Sequence, residues 1–103
     1  MNGSRIDFKR IAADATSHAE TIVGRWLPDG RREGHEWVAT NPRRADRRRG
    51  SFKVNLITGK WGDFASGDFG GDLISLAAFL FRLRQAEAAL KVADMLGIDP
   101  YDR

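Results

Sequence analysis

Between Leu73 and Phe81 the chain sets Leu73, Ile74, Leu76, Phe79, Leu80 and Phe81 around a helical turn, with Ser75 the polar interruption. A helix that is apolar on nearly every side has no face to give to water, so this segment predicts a central core helix that other elements must cover. Asp72 stands at its start, where a carboxylate caps the orphan backbone N–H groups. The helix is expected to run to about Leu83. A second helix is expected from about Gln85 to Leu96, with Ala86, Ala89, Leu90, Ala93 and Leu96 turned inward and Gly97 as its stop signal.

The cover has to come from upstream. The first 27 residues read as two helical pieces, with Ser4/Asp7 and Ser17/Glu20 at capping-box spacing and Ile6, Ile11, Ala15, Ile22, Val23, Trp26 and Leu27 as apolar faces. Pro28-Asp29-Gly30 ends the second piece as a turn. Three strands are expected next. Glu36–Thr40 carries Trp37 and Val38; Ser51–Leu56 alternates Phe52, Val54 and Leu56 against Ser51, Lys53 and Asn55; Lys60–Phe64 follows a Thr58-Gly59 turn. Asn41–Gly50 is a polar, arginine-rich loop, and 63–71 is spaced by Gly67, Gly70 and Gly71. The expected fold class is α+β, one domain over residues 1–103. It comprises a helical N-terminal segment (1–27), a small three-stranded antiparallel sheet with loops (34–71) and a C-terminal helical pair (72–97).

A chain of 103 residues, 42% hydrophobic and 10% aromatic, is long enough to bury a core without covalent staples. It contains no cysteine, which excludes disulfides, a thiolate nucleophile and sulfur ligands for zinc. No apolar run has signal-peptide length at the N-terminus, and Leu73–Phe81 falls far short of the roughly 20 residues that span a bilayer. A cytoplasmic location without a membrane partner is expected. The charge is uneven: Gly24 to Gly62 holds ten Lys/Arg against four Asp/Glu, a net +6 in a chain whose total is +3. On charge alone, a polyanion partner and a solvated, solubilising loop both account for that middle.

Three segments in order carry a family resemblance: Glu36-Trp37-Val38-Ala39-Thr40-Asn41-Pro42, Gly50-Ser51-Phe52-Lys53-Val54 and Gly70-Gly71-Asp72-Leu73-Ile74-Ser75-Leu76. This pattern resembles the zinc-binding, zinc-ribbon domain at the N-terminus of bacterial and phage DNA primases, from about Ile22 to about Ile98. Gly-Gly-Asp-Leu-Ile-Ser is its most specific piece. The metal ligands of that family are missing. Asn41 stands at the first cysteine position beside Pro42, the second falls near Arg44, and the later pair falls at Phe64 and Gly67. His18 and His35 cannot complete a four-ligand site. A degenerate, metal-free form is expected, without a cofactor. A structural zinc contributes on the order of 10 kcal/mol to such a domain, so something must offset its loss. The expected offset is an aromatic plug of Trp37, Phe52, Trp61, Phe64 and Phe69, with Phe64 at its centre.

The resemblance implies binding of single-stranded template. The residues that suit this are Arg43, Arg44, Arg47, Arg48 and Arg49 in the loop, Lys53 on the outer face of its strand, and Lys60, Arg31 and Arg32 on adjacent turns. Trp61 is either a stacking platform among them or a core residue. Gly70-Gly71-Asp72 reads as a helix cap, because an Asp at that point would repel a phosphate. The final helix carries Glu87, Lys91 and Asp94 and so offers no basic face to a DNA groove. Asp63, Asp68 and Asp72 lie at turns and caps, where backbone chemistry explains them without a metal ion. With no catalytic constellation, the expected function is non-enzymatic binding of single-stranded DNA or RNA in replication, with a primase or helicase as protein partner. The alternative is a protein-interaction domain of a replication or mobile-element protein that does not bind nucleic acid.

Overall fold

The computed structural model describes residues 5–43 and 50–102. The all-apolar segment forms α3 (Leu73–Phe81), whose Leu73, Ile74, Leu76 and Ala77 are buried. Asp72 caps it: its carboxylate accepts from the Ser75 backbone N–H at 2.8 Å, and the Ser75 hydroxyl returns to the Asp72 backbone. The helix stops two residues earlier than its pattern suggests. Arg82 takes the left-handed conformation (φ 56°), and the Leu83 N–H then bonds the Ala78 carbonyl. From there α4 (Gln85–Leu96) folds back onto α3, ending at Gly97 (φ 72°).

Two helices precede the sheet, α1 (Phe8–Thr16) and α2 (Ala19–Trp26). Asp7 itself caps α1 by accepting from the Arg10 N–H; Ser4 lies outside the described residues. The expected cap at Ser17 does not form, because its hydroxyl donates back to the Asp14 carbonyl and so closes α1. His18 occupies the cap position of α2 without a side-chain cap bond.

Among the described residues the sheet has five strands rather than three. β2 (Arg31–Glu33), β3 (Glu36–Ala39), β4 (Phe52–Asn55), β5 (Trp61–Asp63) and β6 (Phe69–Gly70) form an antiparallel meander in chain order. The two unforeseen strands are its edges. β2 reads Arg-Arg-Glu and is exposed throughout, so it carries no hydrophobic alternation. β6 is two residues long. A separate ribbon pairs β1 (Arg5–Ile6) with β7 (Tyr101–Asp102), fastened by the Asp7 N–H on the Pro100 carbonyl and by Arg10 on the carbonyls of Asp99 and Tyr101.

The core lies between the sheet's inner face and α3. Phe52, Trp61 and Phe79 form its aromatic centre, with ring centroids 4.9 to 6.1 Å apart. The Trp61 indole donates to the Ser75 hydroxyl at 2.9 Å. The family-like motif is therefore built around this indole. Gly70 lies so close to Trp61 and Ser75 that a Cβ there would collide with both, while Asp72 and Ser75 start the helix that covers the ring.

The aromatic plug differs from expectation. Phe52 and Trp61 are buried and Trp37 packs at the end of α2, donating its indole N–H to the Leu27 carbonyl. Phe64 and Phe69, however, are 84% and 82% exposed. The corner assigned to them is held by polar residues. Asn41 and Asp63 are 1% and 2% exposed, and the Asn41 Nδ2 donates to the Asp63 Oδ2 at 2.8 Å. Each side chain also closes its own turn: Asn41 Oδ1 accepts from the Arg43 N–H, and Asp63 Oδ1 from the Ala65 N–H, both at 2.8 Å. Two Asx turns are thus joined face to face. Among the described residues no buried side-chain nitrogen or oxygen lacks a partner, which is the condition for polar groups to sit in a core.

Candidate nucleic-acid interface

Strand alternation sorts the side chains of the sheet. Trp37, Phe52, Val54 and Trp61 point toward the helices. The opposite row runs through directly paired residues across all five strands: Arg31, Val38, Lys53, Gly62 and Phe69. Phe64, one residue beyond β5, follows the same alternation outward. The Lys53 ammonium lies 5.9 Å from the Phe64 ring centroid, within cation–π range.

Gly62 leaves the space between Lys53 and Phe69 without a side chain. Gly62 and Gly67, Phe64 and Phe69, and Asp63 and Asp68 surround a shallow cavity of about 260 Å³ there. The loop that presents the rings is well fixed. The Asp63 N–H bonds the Asp68 carbonyl, the Gly67 N–H bonds the Asp63 carbonyl, and the Ser66 hydroxyl donates to the Asp68 carboxylate, each at 2.8 Å. Asp68 puts a negative charge at this end. The chemistry offered here is therefore a pair of π-faces with one cation, suited to the flat face of a base more than to phosphate.

The structure divides the sequence-derived residues. Lys53 joins the exposed aromatics. Arg31 shares the outer face but stands two strands away, bonded to Glu33 at 3.0 Å. Arg32 turns to the other face and pairs with Glu20 of α2 at 2.6 Å. Lys60 is exposed at the opposite end of β5 from Phe64. Arg43 is committed to α3: its guanidinium donates to the Phe79 carbonyl at 3.2 Å and lies 5.0 Å over the Phe79 ring. That contact satisfies a last-turn carbonyl of the helix and complements its dipole. Arg44, Arg47, Arg48 and Arg49 fall outside the described residues. Trp61 is no platform. At 7% exposure, stacked on Phe52 and bonded to Ser75, it belongs to the core.

The residues that sequence reasoning misplaced are Phe64 and Phe69. A signal for them existed in the glycines: a hairpin with Gly62, Gly67 and Gly70 has few side chains with which to bury an aromatic. Among the described residues no group of three or more His, Asp or Glu side chains could hold a metal ion. No helix among them is long and apolar enough to cross a membrane.

No family model and no curated protein matches this sequence. Among solved structures, the chain is similar to the crystal structure of the Aquifex aeolicus primase containing its zinc-binding and RNA polymerase domains, with a TM-score of 0.75 and 19% identity. The match covers 96% of this chain and 23% of the primase chain, so the protein spans under a quarter of the length of that relative. What the two share is a fold: the five-stranded meander with its flanking helices is an architecture found within a bacterial primase.

Proposed function

We propose that the chain is a non-catalytic module that binds single-stranded nucleic acid, DNA in the first instance, in a replication system of the primase type. The observation that carries this reading is the pair Phe64 and Phe69, more than four-fifths exposed on a hydrogen-bonded hairpin beside Lys53. Burying a phenylalanine contributes roughly 1.5–3 kcal/mol to stability, and both rings forgo that gain. Unpaired bases stack on such rings at roughly 1–3 kcal/mol each, whereas paired bases in a duplex keep their faces covered. Arg44, Arg47, Arg48 and Arg49 enter the sequence between β3 and β4, whose pairing carries Lys53, and are the charge that a phosphate backbone requires. The likeness to part of a primase agrees with this role.

The test is a fluorescence-anisotropy titration with a labelled thymidine 12-mer and an abasic strand of equal length. The thymidine strand should bind more tightly than the abasic one. Replacing Phe64 and Phe69 together by alanine should remove that preference and weaken thymidine binding on the order of 10-fold or more. Replacing Arg44 and Arg48 by alanine should instead flatten the slope of log affinity against log salt by about 1.4, at roughly 0.7 per phosphate contact. Absence of binding to either strand at low salt overturns the reading.

A further inference from the structure

The second surface of interest lies on the far side of α3 from the sheet. Residues two apart on a helix are separated by about 200° around its axis. Phe79 faces the aromatic core, and Phe81 accordingly emerges on the other side, 50% exposed, with its ring edge-on to Trp26 at 5.6 Å. Phe81 is thus not the core residue its apolar run suggested. With Trp26, Val92 and Met95 it lines a cavity of about 250 Å³ between α2, α3 and α4. A second cavity of about 260 Å³ continues between α2 and α4, floored by Ile22 and Leu96 and rimmed by His18, Thr21 and Arg25, and Met95 lines both. Each has room for one large apolar side chain.

We infer that this seam is a docking groove for an acidic amphipathic helix of a partner protein. Three features fix the occupant. On α4 the residues that line the two cavities, Val92 and then Leu96, are one turn apart, about 6 Å along the axis. That spacing matches apolar anchors at i and i+4 of an incoming helix. Met95, which lines both cavities, is the side-chain type that adapts to varied apolar partners. The charge around the groove is positive: Arg25 and Lys91 line it, and Arg82 and Arg84 flank Leu83 at its end. None of these four has an ion-pair partner among the described residues. Of the acids on α4, Glu87 is engaged with the Arg84 backbone N–H, leaving Asp94 as the other. A second copy of the chain docked on the same seam would set these cations against their own images. A nucleic-acid strand would meet the cations and leave the apolar floor wet. An acidic helix satisfies both.

This inference stands apart from the nucleic-acid reading, since groove and hairpin use different residues. The test uses a helix-stabilised 16-residue peptide with leucine and phenylalanine at i and i+4 and glutamates on its flanks, and a counterpart with every glutamate replaced by lysine. The glutamate peptide should bind the full chain at least tenfold more tightly than the lysine peptide, with amide chemical-shift changes confined to α2, α4 and the end of α3. Met95→Glu should weaken it at least tenfold while leaving the melting temperature and thymidine-strand binding unchanged. Should that variant fail to fold, the exposed pair Arg25→Glu and Lys91→Glu tests the same point, and must reverse the peptide preference. The inference is overturned by equal affinity for the two peptides or by no binding of either at millimolar concentration. It is also overturned if the thymidine strand shifts the groove resonances, or if sedimentation shows a dimer that Met95→Glu dissolves.

Discussion

Phe52 on β4 and Phe64, one residue beyond the neighbouring β5, meet opposite fates. On the inner face, Phe52, Trp61 and Phe79 pack ring against ring beneath α3. On the outer face, Phe64 and Phe69 stand in solvent on a hairpin floored by glycine. The residue next to Phe64 sharpens the contrast, because Asp63 is buried while its apolar neighbour is not. Hydrophobicity alone would have reversed the two. What decides is the alternation of the strand, which sends position 63 inward to meet Asn41 and position 64 outward. The same side-chain type supplies cohesion on one face and the proposed contact surface on the other.

Measurements can break this comparison at four points. The largest effect belongs to Phe52→Ala, which empties a fully buried aromatic site and should cost about 3–5 kcal/mol in a urea titration. A loss below about 1 kcal/mol would mean that the inner cluster is not the cohesive face. Next comes Asn41→Ala. It strips one donor from the Asp63 carboxylate and the acceptor from the Arg43 N–H, and the denaturation midpoint should fall by the equivalent of about 1–3 kcal/mol at unchanged slope. Phe64→Ala and Phe69→Ala should each stay within about 0.5 kcal/mol of the parent, as surface substitutions do. A cost near that of Phe52→Ala would place them in a core after all. The smallest effect is expected from a strong chelator, which should leave the melting temperature where it is; a collapse of the fold on chelation would show that Asn41 and Asp63 do not close this corner by themselves.

Much of the architecture was legible because it rests on patterns with one physical solution. An all-apolar run behind an Asp, and a strictly alternating Ser51–Leu56, leave little choice of element or face. The edge strands were not legible. Arg31–Glu33 is paired through its backbone, and backbone hydrogen bonds leave no trace in side-chain polarity. The candidate site was half visible. Lys53 followed from alternation, whereas the exposure of Phe64 depends on what its neighbours lack, and a sequence scan registers an aromatic without registering the empty space around it. Asn41 was noticed only as a missing ligand. Its partner is 22 positions away, and no local pattern announces a hydrogen bond across that distance. Arg32 shows the same limit from the other side: its charge suggested an anion in solution, and the structure supplies Glu20.

The joined Asx turns at Asn41 and Asp63 have a kinetic consequence. A corner closed by a metal ion forms in a bimolecular step, at a rate that follows the supply of free ion, and thiolate ligands compete with oxidants while they wait. An amide and a carboxylate on the same chain meet intramolecularly, and neither can be oxidised under cellular conditions. We accordingly expect the folding of this corner to be first order, with a rate that neither added metal ion nor peroxide changes in a stopped-flow refolding measurement.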